Sequence, residues 1–536
     1  MAKQDRPSRP AEPAPREGPP PISRRGWLLL ILAAILPVAA HVAFFKADVP
    51  LGKPGTITYP YSDFAPIRAE RVPQMIAVAA VLGASILLAA DVPRRRRAVA
   101  YGLAVAGVLG VGVWALVSPP AWQRQHLFNL LSPSHDGAFF LEAEHVKRVG
   151  VAEYVRTFPD RAATPPEEMR GTRVISNPPG TTLLVIAIDR ALTAGGALER
   201  WFGQWAVDDP TLPVEVKRRA GRALAFSLAL IGFWFAGAVL IFLAGRTLVA
   251  PETALAIAIV AAVSPMTVAF TPGKDPAQLA TVGAFLCPWL GALRCRGGWR
   301  LVFGLVAGVM LALGVFVGLI HYWIGVAVIL ASWLAAWRCR SRSAAISPGG
   351  LGPGAMTATF AAAAGFGLGA ALLNWTLGYD MLASTLAIAR AQAQVTRGPT
   401  AMPVTWQALG LPLFVLFAGV GVLAAAGMVI PRSRDSAADV FGRRLLLVTL
   451  SIMLLTVGFT NVETPRLWIP FAALLAVGAG LRLEALLPAG RARARVLAAI
   501  VALQVVAAAV QWSLMDMREA ELRLKVDESG GARFFD

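Results

Sequence analysis

The sequence predicts an all-α protein, a polytopic transmembrane helical bundle of about thirteen spans, and three observations predict it. Of 536 residues, 56% are hydrophobic and only 15% charged, with a mean hydropathy of +0.60, outside the balance of soluble domains. The apolar residues gather into runs long enough to cross a bilayer core of roughly 30 Å, which takes about 20 helical residues. Short basic clusters separate the runs: Arg24-Arg25, Arg94 to Arg97, Arg294 to Arg300, Arg338 to Arg342, Arg432 to Arg444 and Arg482 to Arg495.

Residues 1–25 are rich in Pro and Arg and hold too little apolar surface to fold, so they read as a disordered cytoplasmic tail. The first run, Gly26 to Phe45, contains no ionisable residue except His41. It is longer than the core of a secretion signal and further runs follow, which makes it an uncleaved signal-anchor. Spans are then expected near 26–45, 72–90, 98–118, 220–243, 253–271, 277–293, 301–319, 323–337, 356–373, 408–429, 445–460, 466–483 and 495–512. The 50 Lys and Arg outnumber the 32 Asp and Glu, a formal charge of +18. Because the cations sit between apolar runs, this is the positive-inside pattern with some attraction to anionic lipids, and no nucleic-acid partner is implied. It places the N-terminus in the cytoplasm and makes the chain a multi-pass protein of the cell membrane.

One cluster, Lys217 to Arg222, falls outside on this topology. A crossing at Thr181 to Leu198 would bring it in, but would put Arg294 to Arg300 on the wrong side. That segment also carries Asp189 and Arg190, so it is read as a helix in the outer interface. The remaining organisation is a two-span N-terminal addition at 26–97, a module at 98–300 with external loops 119–219 and 271–278, helices at 301–512 with an external loop at 374–407, and a polar tail at 513–536. The three cysteines, Cys287, Cys295 and Cys339, imply no disulfide framework or metal set. No Walker loop, dinucleotide fingerprint or HExxH motif is present.

The long loop 119–219 carries an amphipathic stretch after His135-Asp136, with Phe139, Phe140, Ala143 and Val146 at helical spacing. Asn177-Pro178-Pro179-Gly180 then gives a turn signal. A second acidic turn follows between two apolar runs, Thr271-Pro272-Gly273-Lys274-Asp275. Near the C-terminus comes Glu463-Thr464-Pro465-Arg466-Leu467-Trp468-Ile469-Pro470.

In order and topology these motifs resemble the GT-C superfamily of glycosyltransferases, which take sugars from polyprenyl-phosphate carriers. The superfamily includes the protein O-mannosyltransferases and the lipid A aminoarabinose transferase. Asp136 with Phe139 to Val146, Gly150 and Tyr154 is similar to the family's first acidic loop and juxtamembrane helix. Arg222 to Phe242, Gly245-Arg246, Ala254 to Pro265 and the Lys274-Asp275 turn are similar to its next module, and Glu463 to Arg466 to its external Glu…Arg stretch. The resemblance covers roughly 98–483. It departs in reading His-Asp-Gly at the first acidic site, and in having no Asp-Asn-Glu set in the second loop. A metal-independent mechanism is therefore favoured over a divalent metal, and no cofactor is implied beyond the lipid-linked donor itself.

The resemblance implies an enzyme that moves a sugar from a polyprenyl-phosphate sugar to a glycan, lipid or protein hydroxyl on the extracytoplasmic face. Asp136 would be the base and Asp275 would orient the acceptor or sugar. A direct displacement with one base would invert the anomeric carbon. Lys274 and Arg466 would hold phosphate, the latter through a planar fork that matches phosphate oxygens. Glu463, His135, Arg390 and Arg397 are further substrate-binding candidates, and His321 a weaker one. Each has a plain alternative. Asp136 could simply cap its helix, Lys274 and Asp275 could form a solvated turn, Arg466 could pair with Glu463, and Arg390 and Arg397 could lie on a helix without a ligand. Trp323, Trp375, Trp406 and Trp468 are expected in the outer aromatic belt. Three other classes compete: a transporter or flippase of lipid-linked sugars or polysaccharide, a polymerase or ligase of surface polysaccharide, and a non-catalytic membrane scaffold. Spans nearly free of charge argue against an ion-coupled carrier.

Overall fold

A computed structural model describes residues 24–47, 51–53, 57–59, 69–90, 94–118, 136–164, 173–194, 196–207, 213–340, 354–397, 419, 436–456 and 464–514. The chain is a helical bundle. Among the described residues the only β-structure is one antiparallel hairpin, Leu51–Lys53 with Ile57–Tyr59. Among the described residues, nine helices are long and apolar enough to cross a membrane, or ten if one bent pair counts as a span. They are a subset of the thirteen spans expected.

The long helices are α1 (Arg24–Lys46), α2 (Val72–Ala90) and α3 (Arg94–Val117), followed by a set of shorter elements. These are α4 (Gly137–Val149), α5 (Val151–Arg156), α6 (Phe158–Ala162), α7 (Gly180–Thr193) and α8 (Ala197–Ala206). Next come α9 (Val214–Arg246), the short α10 (Pro251–Ala262), α11 (Pro265–Ala269) and α12 (Lys274–Ala277), then α13 (Leu279–Arg294), α14 (Gly298–Val317), α15 (Ile320–Arg340) and α16 (Gly354–Leu377). The C-terminal part holds α17 (Met381–Arg397), α18 (Ala437–Thr456), α19 (Thr464–Leu467), α20 (Ile469–Leu486) and α21 (Arg491–Leu514). α20 is the central element, buried along most of its length, and α2 packs against α3 and α21 in the same apolar core.

Four expected spans are not among the nine. Residues 408–429 lie outside the described residues, Gly419 excepted. The first, α1, is one helix with Pro37 inside it. The third, expected at 445–460, begins earlier at Ala437 and takes Asp439, Arg443 and Arg444 into the helix. Asp439 and Arg482 are both buried and paired at 2.6 Å, so part of the basic cluster at 482–495 faces the protein interior and not lipid.

The fourth, expected as a continuous helix at 253–271, is broken. α10 has 12 residues, about 18 Å of rise and short of the bilayer core. Pro265 disfavours helical backbone at the residue before it, and Ser264 is extended at φ −67°, ψ 147°. Ser264 Oγ then accepts from Thr267 N (3.3 Å) and caps the next turn. The carbonyls left by the break are used: Trp234 Nε1 donates to Ala262 O (3.1 Å) and Thr267 Oγ1 to Ala261 O (3.3 Å). A break inside protein is tolerated at membrane depth when its backbone groups are satisfied in this way.

α7 has 14 residues and meets α8 at a bend of 111°, so alone it is too short to cross. The Lys217 to Arg222 cluster beside it is held in ion pairs. Arg222 binds Asp189 and Glu199, both at 3.0 Å, and Arg219 stands 3.3 Å from Glu215.

Candidate active site

α4 forms where the amphipathic spacing predicts it, and Phe139, Ala143 and Val146 are buried. Phe140 stacks edge-on against Phe226 of α9, with ring centroids 5.2 Å apart. Glu142, also buried, is clamped by Arg161 through two bonds of 2.9 Å, which fixes α4 against α6. Burial pushes the Tyr154 hydroxyl well above its usual range, and Tyr154 stacks on Phe158 at 5.8 Å. This packing sets the position of the residue just before α4.

That residue is Asp136. It occupies the helix start, but its side chain makes no capping bond and its backbone is helical at φ −64°, ψ −16°. Its carboxylate turns away from the helix. Oδ1 accepts from Arg173 Nη2 at 2.6 Å and Oδ2 from the Lys274 backbone N–H at 2.9 Å. The capping alternative therefore does not describe it.

Arg173 Nη2 also donates to Asp275 Oδ2 at 3.2 Å, so one guanidinium joins both acidic loops. Arg466 Nε stands 3.4 Å from the same Asp275 oxygen. Lys274 Nζ donates to Asn177 Oδ1 and lies 3.6 Å from Asp275 Oδ1. The ring of Phe139 faces both cations, with the Arg173 guanidinium and Lys274 Nζ each 5.9 Å from its centroid, a favourable contact for cations removed from water. All five charged groups are at least 93% buried. Isolated charges at that depth would be prohibitively costly, and these persist because they are paired.

Local backbone makes this possible. Gly273 precedes Lys274, and a Cβ there would lie 2.4 Å from Phe270 O and 3.7 Å from Asp136 Oδ2. Only glycine lets the Lys274 N–H approach the Asp136 carboxylate. Asn177 Nδ2 donates to Arg173 O at 2.7 Å, tying the turn ahead of Pro178-Pro179 to the bridging arginine. Gln278 Nε2 donates to Asp275 Oδ1 at 3.0 Å.

The cluster occupies one end of the bundle. α13 begins beside Gln278 and ends at Arg294, and α20 follows Arg466 and carries Arg482 in its last turns. α15 begins beside His321, whose Nε2 is 2.7 Å from Thr281 Oγ1 of α13, and ends at Arg340. Three helices thus present N-terminal ends to the cluster and arginine-bearing ends to the opposite side. The far end has a network of its own, with Arg493 at 2.6 Å from Glu484 and 3.5 Å from Glu252.

Of the residues singled out from sequence, Asp136, Lys274, Asp275 and Arg466 come together here. Arg390 is exposed on α17, a helix that packs against α6. His135 and Glu463 lie outside the described residues, as does the side chain of Arg397. Trp468 is not in an aromatic belt. It is fully buried at the start of α20, whereas Trp323 and Trp375 are exposed. Arg173, Asn177 and Gln278 were not anticipated as site residues. The one signal for Arg173 and Asn177 was the Pro-Pro-Gly turn beside them. Among the described residues, no group of three or more His, Cys, Asp or Glu side chains is arranged to hold a metal ion. Scans against protein-family models and the curated proteins find no match to the chain.

Proposed function

We propose that this chain is a membrane glycosyltransferase that moves a sugar from a polyprenyl-phosphate carrier to a hydroxyl on a lipid, glycan or protein. The reading puts the reaction at the outer face of the cell membrane, in the manner of the GT-C superfamily that the sequence motifs resemble. One observation carries it. Two acidic loops distant in the chain converge, through Arg173, on a single buried cluster at the helix ends opposite the arginine clusters. If the arginine clusters mark the cytoplasmic side, the cluster sits at outer headgroup depth, where the phosphate of a polyprenyl-phosphate sugar resides.

The charges suit that ligand. Arg173, Lys274 and Arg466 set three cations against the two carboxylates of Asp136 and Asp275. The surplus of one positive charge matches one phosphodiester anion. The N-terminal ends of α13, α15 and α20 add partial positive charge at the same place.

In the reaction the acceptor oxygen attacks the anomeric carbon while its proton passes to the Asp136 carboxylate. The new carbon–oxygen bond forms as the bond to the phosphate oxygen breaks, and the electron pair leaves on the polyprenyl phosphate. Lys274 and Arg466 stabilise the charge that develops there. Asp275, bound by Arg173 and Gln278, orients the substrate. A single displacement of this kind inverts the anomeric configuration. The lack of an Asp-Asn-Glu set in the second loop favours a route that uses these side chains without a metal ion.

The test is sugar transfer in membranes supplied with labelled polyprenyl-phosphate sugars. Wild type should transfer one of them, and Asp136→Asn should be slower by a factor of about 10² to 10⁴, the usual contribution of a general base. Full activity in Asp136→Asn would remove Asp136 as the base. Failure of wild type with every donor would overturn the transferase reading in favour of a carrier or scaffold.

A further inference from the structure

Beside the ion cluster, Gln278 at the start of α13 meets the turn between α14 and α15. Gln278 is 4% exposed. Its Nε2 is committed to Asp275 Oδ1. A carboxylate only accepts, so this bond fixes which end of the amide is which. Oε1 is the other end. It is buried and accepts no hydrogen bond among the described residues.

Gly318 is what leaves room for that oxygen. A Cβ at Gly318 would lie 2.6 Å from Gln278 Oε1. The Gly318 backbone is extended, with φ −166°, so space and not conformation requires glycine here. Both sides of this contact are pinned. The single hydroxyl proton of Thr281 serves two acceptors, Gln278 O at 2.8 Å and His321 Nε2 at 2.7 Å. His321 Nδ1 donates to Gly318 O at 2.9 Å, and the histidine is fully buried. One side chain therefore holds the glutamine's helix to the backbone opposite it, without touching the amide oxygen.

Leaving a buried acceptor unmade costs about 1–3 kcal/mol. An acceptor-only atom also cannot bind phosphate oxygens, which are acceptors themselves. The cations meet the phosphate, and the amide oxygen calls for an O–H.

We infer that Gln278 is a specificity-determining residue, whose amide oxygen accepts a hydrogen bond from a substrate hydroxyl lying against Asp275. This rests on the proposed sugar transfer. The hydroxyl belongs either to the sugar of the donor or to the acceptor, and a binding experiment separates the two.

Full-length protein in lipid nanodiscs is titrated with undecaprenyl phosphate and with a panel of hexosyl and pentosyl undecaprenyl phosphates. Wild type should prefer one glycosylated lipid over the bare phosphate. Gln278→Met keeps the volume but removes the acceptor together with the Nε2 donor to Asp275, whereas Gly318→Ala crowds the oxygen from the other side and leaves the amide in place. Gly318→Ala should bind bare undecaprenyl phosphate as wild type does, which doubles as its check on folding, and the melting temperature serves that purpose for Gln278→Met. If the hydroxyl is the sugar's, both lose about 3- to 10-fold in affinity for the preferred glycosylated lipid, the worth of one neutral hydrogen bond. If it is the acceptor's, donor binding holds and the acceptor KM rises by a similar factor. Wild-type donor affinity and acceptor KM in both variants would overturn the inference and leave the transfer reaction standing. A wild type that shows no preference for any glycosylated lipid would sink the functional reading itself, and this inference with it.

Discussion

Asp136 and Asp275, brought from separate loops, share one guanidinium: Arg173 Nη2 lies 2.6 Å from Oδ1 of the first and 3.2 Å from Oδ2 of the second. Removing that bridge leaves two buried carboxylates facing each other. Arg173→Met should destabilise the protein by about 3–5 kcal/mol, the usual cost of an orphaned buried charge, and abolish transfer. Arg173→Lys keeps a cation but loses the planar fork. It should retain most of the stability and lose most of the activity. Melting of detergent-solubilised protein, run beside the transfer assay, checks both. Equal stability of Arg173→Met and wild type would mean that the two carboxylates do not depend on the bridge.

The approach of the second acidic loop to Asp136 depends on Gly273. Gly273→Ala places a methyl 2.4 Å from Phe270 O, a backbone atom that cannot swing aside. The loop must shift, and with it the Lys274 N–H bound to Asp136 Oδ2. Overpacking of this kind costs about 1–3 kcal/mol, and transfer should fall at least tenfold, because a displacement near 1 Å at reacting groups is enough for that. Melting temperature and initial rate measured on the same preparation decide it. Unchanged rate would separate the loop from the chemistry.

The sequence carried the bundle and half of the cluster for different reasons. Apolar runs are long-range, redundant signals, so nine spans could be read directly from composition and length. Asp136, Lys274 and Asp275 stood out because charge is rare next to apolar runs, and because short motifs resembled a family. Arg173 gave no such signal. It stands in a loop three residues after Arg170 with nothing to set it apart, and only the fold brings it within 2.6 Å of Asp136. Gln278 was hidden for a similar reason, since a polar residue at a span's end is unremarkable until its partners are known. The break at Ser264-Pro265 was partly legible, because Pro265 marked the end of a helix in the motif comparison. Hydropathy ran straight through it, as hydropathy does not register a missing N–H. Trp468 misled because tryptophan near a span end fits both an interfacial anchor and a buried helix start.

His145 gives a pH dependence that can be followed. Burial is the main cause that lowers its pKa below the ordinary value of 6.5, with Arg161 acting in the same direction. The folded state therefore binds fewer protons than the unfolded state just below pH 6.5. Stability is full above that pH and declines as the pH falls toward the folded-state value. His145→Gln should flatten this part of the profile while leaving melting at pH 8 almost unchanged. Melting temperatures taken between pH 5 and pH 8 for both proteins provide the comparison. Identical slopes would place the acid sensitivity elsewhere.

At the opposite end of the bundle, Asp439 of α18 and Arg482 of α20 form a pair at 2.6 Å, with Arg443 at 3.1 Å from the other carboxylate oxygen. Asp439 and Arg482 are almost fully buried, so each single replacement removes one side of a buried charge pair. Asp439→Leu and Arg482→Met should each cost about 3–5 kcal/mol, whereas the double variant should recover much of that loss, because an apolar pair of similar volume needs no desolvation. Arg443 would lose its Asp439 contact in the double variant but is part-exposed and can reach water, which limits the residual penalty. A double-mutant cycle on melting temperature reads the coupling directly. Transfer per folded molecule should stay at the wild-type level in the double variant, since this pair lies at the far helix ends from Asp136 and Asp275. Additive losses in the cycle would show that the two side chains stabilise the bundle independently, and a lost activity in stable double variant would tie this end of α20 to the site at its other end.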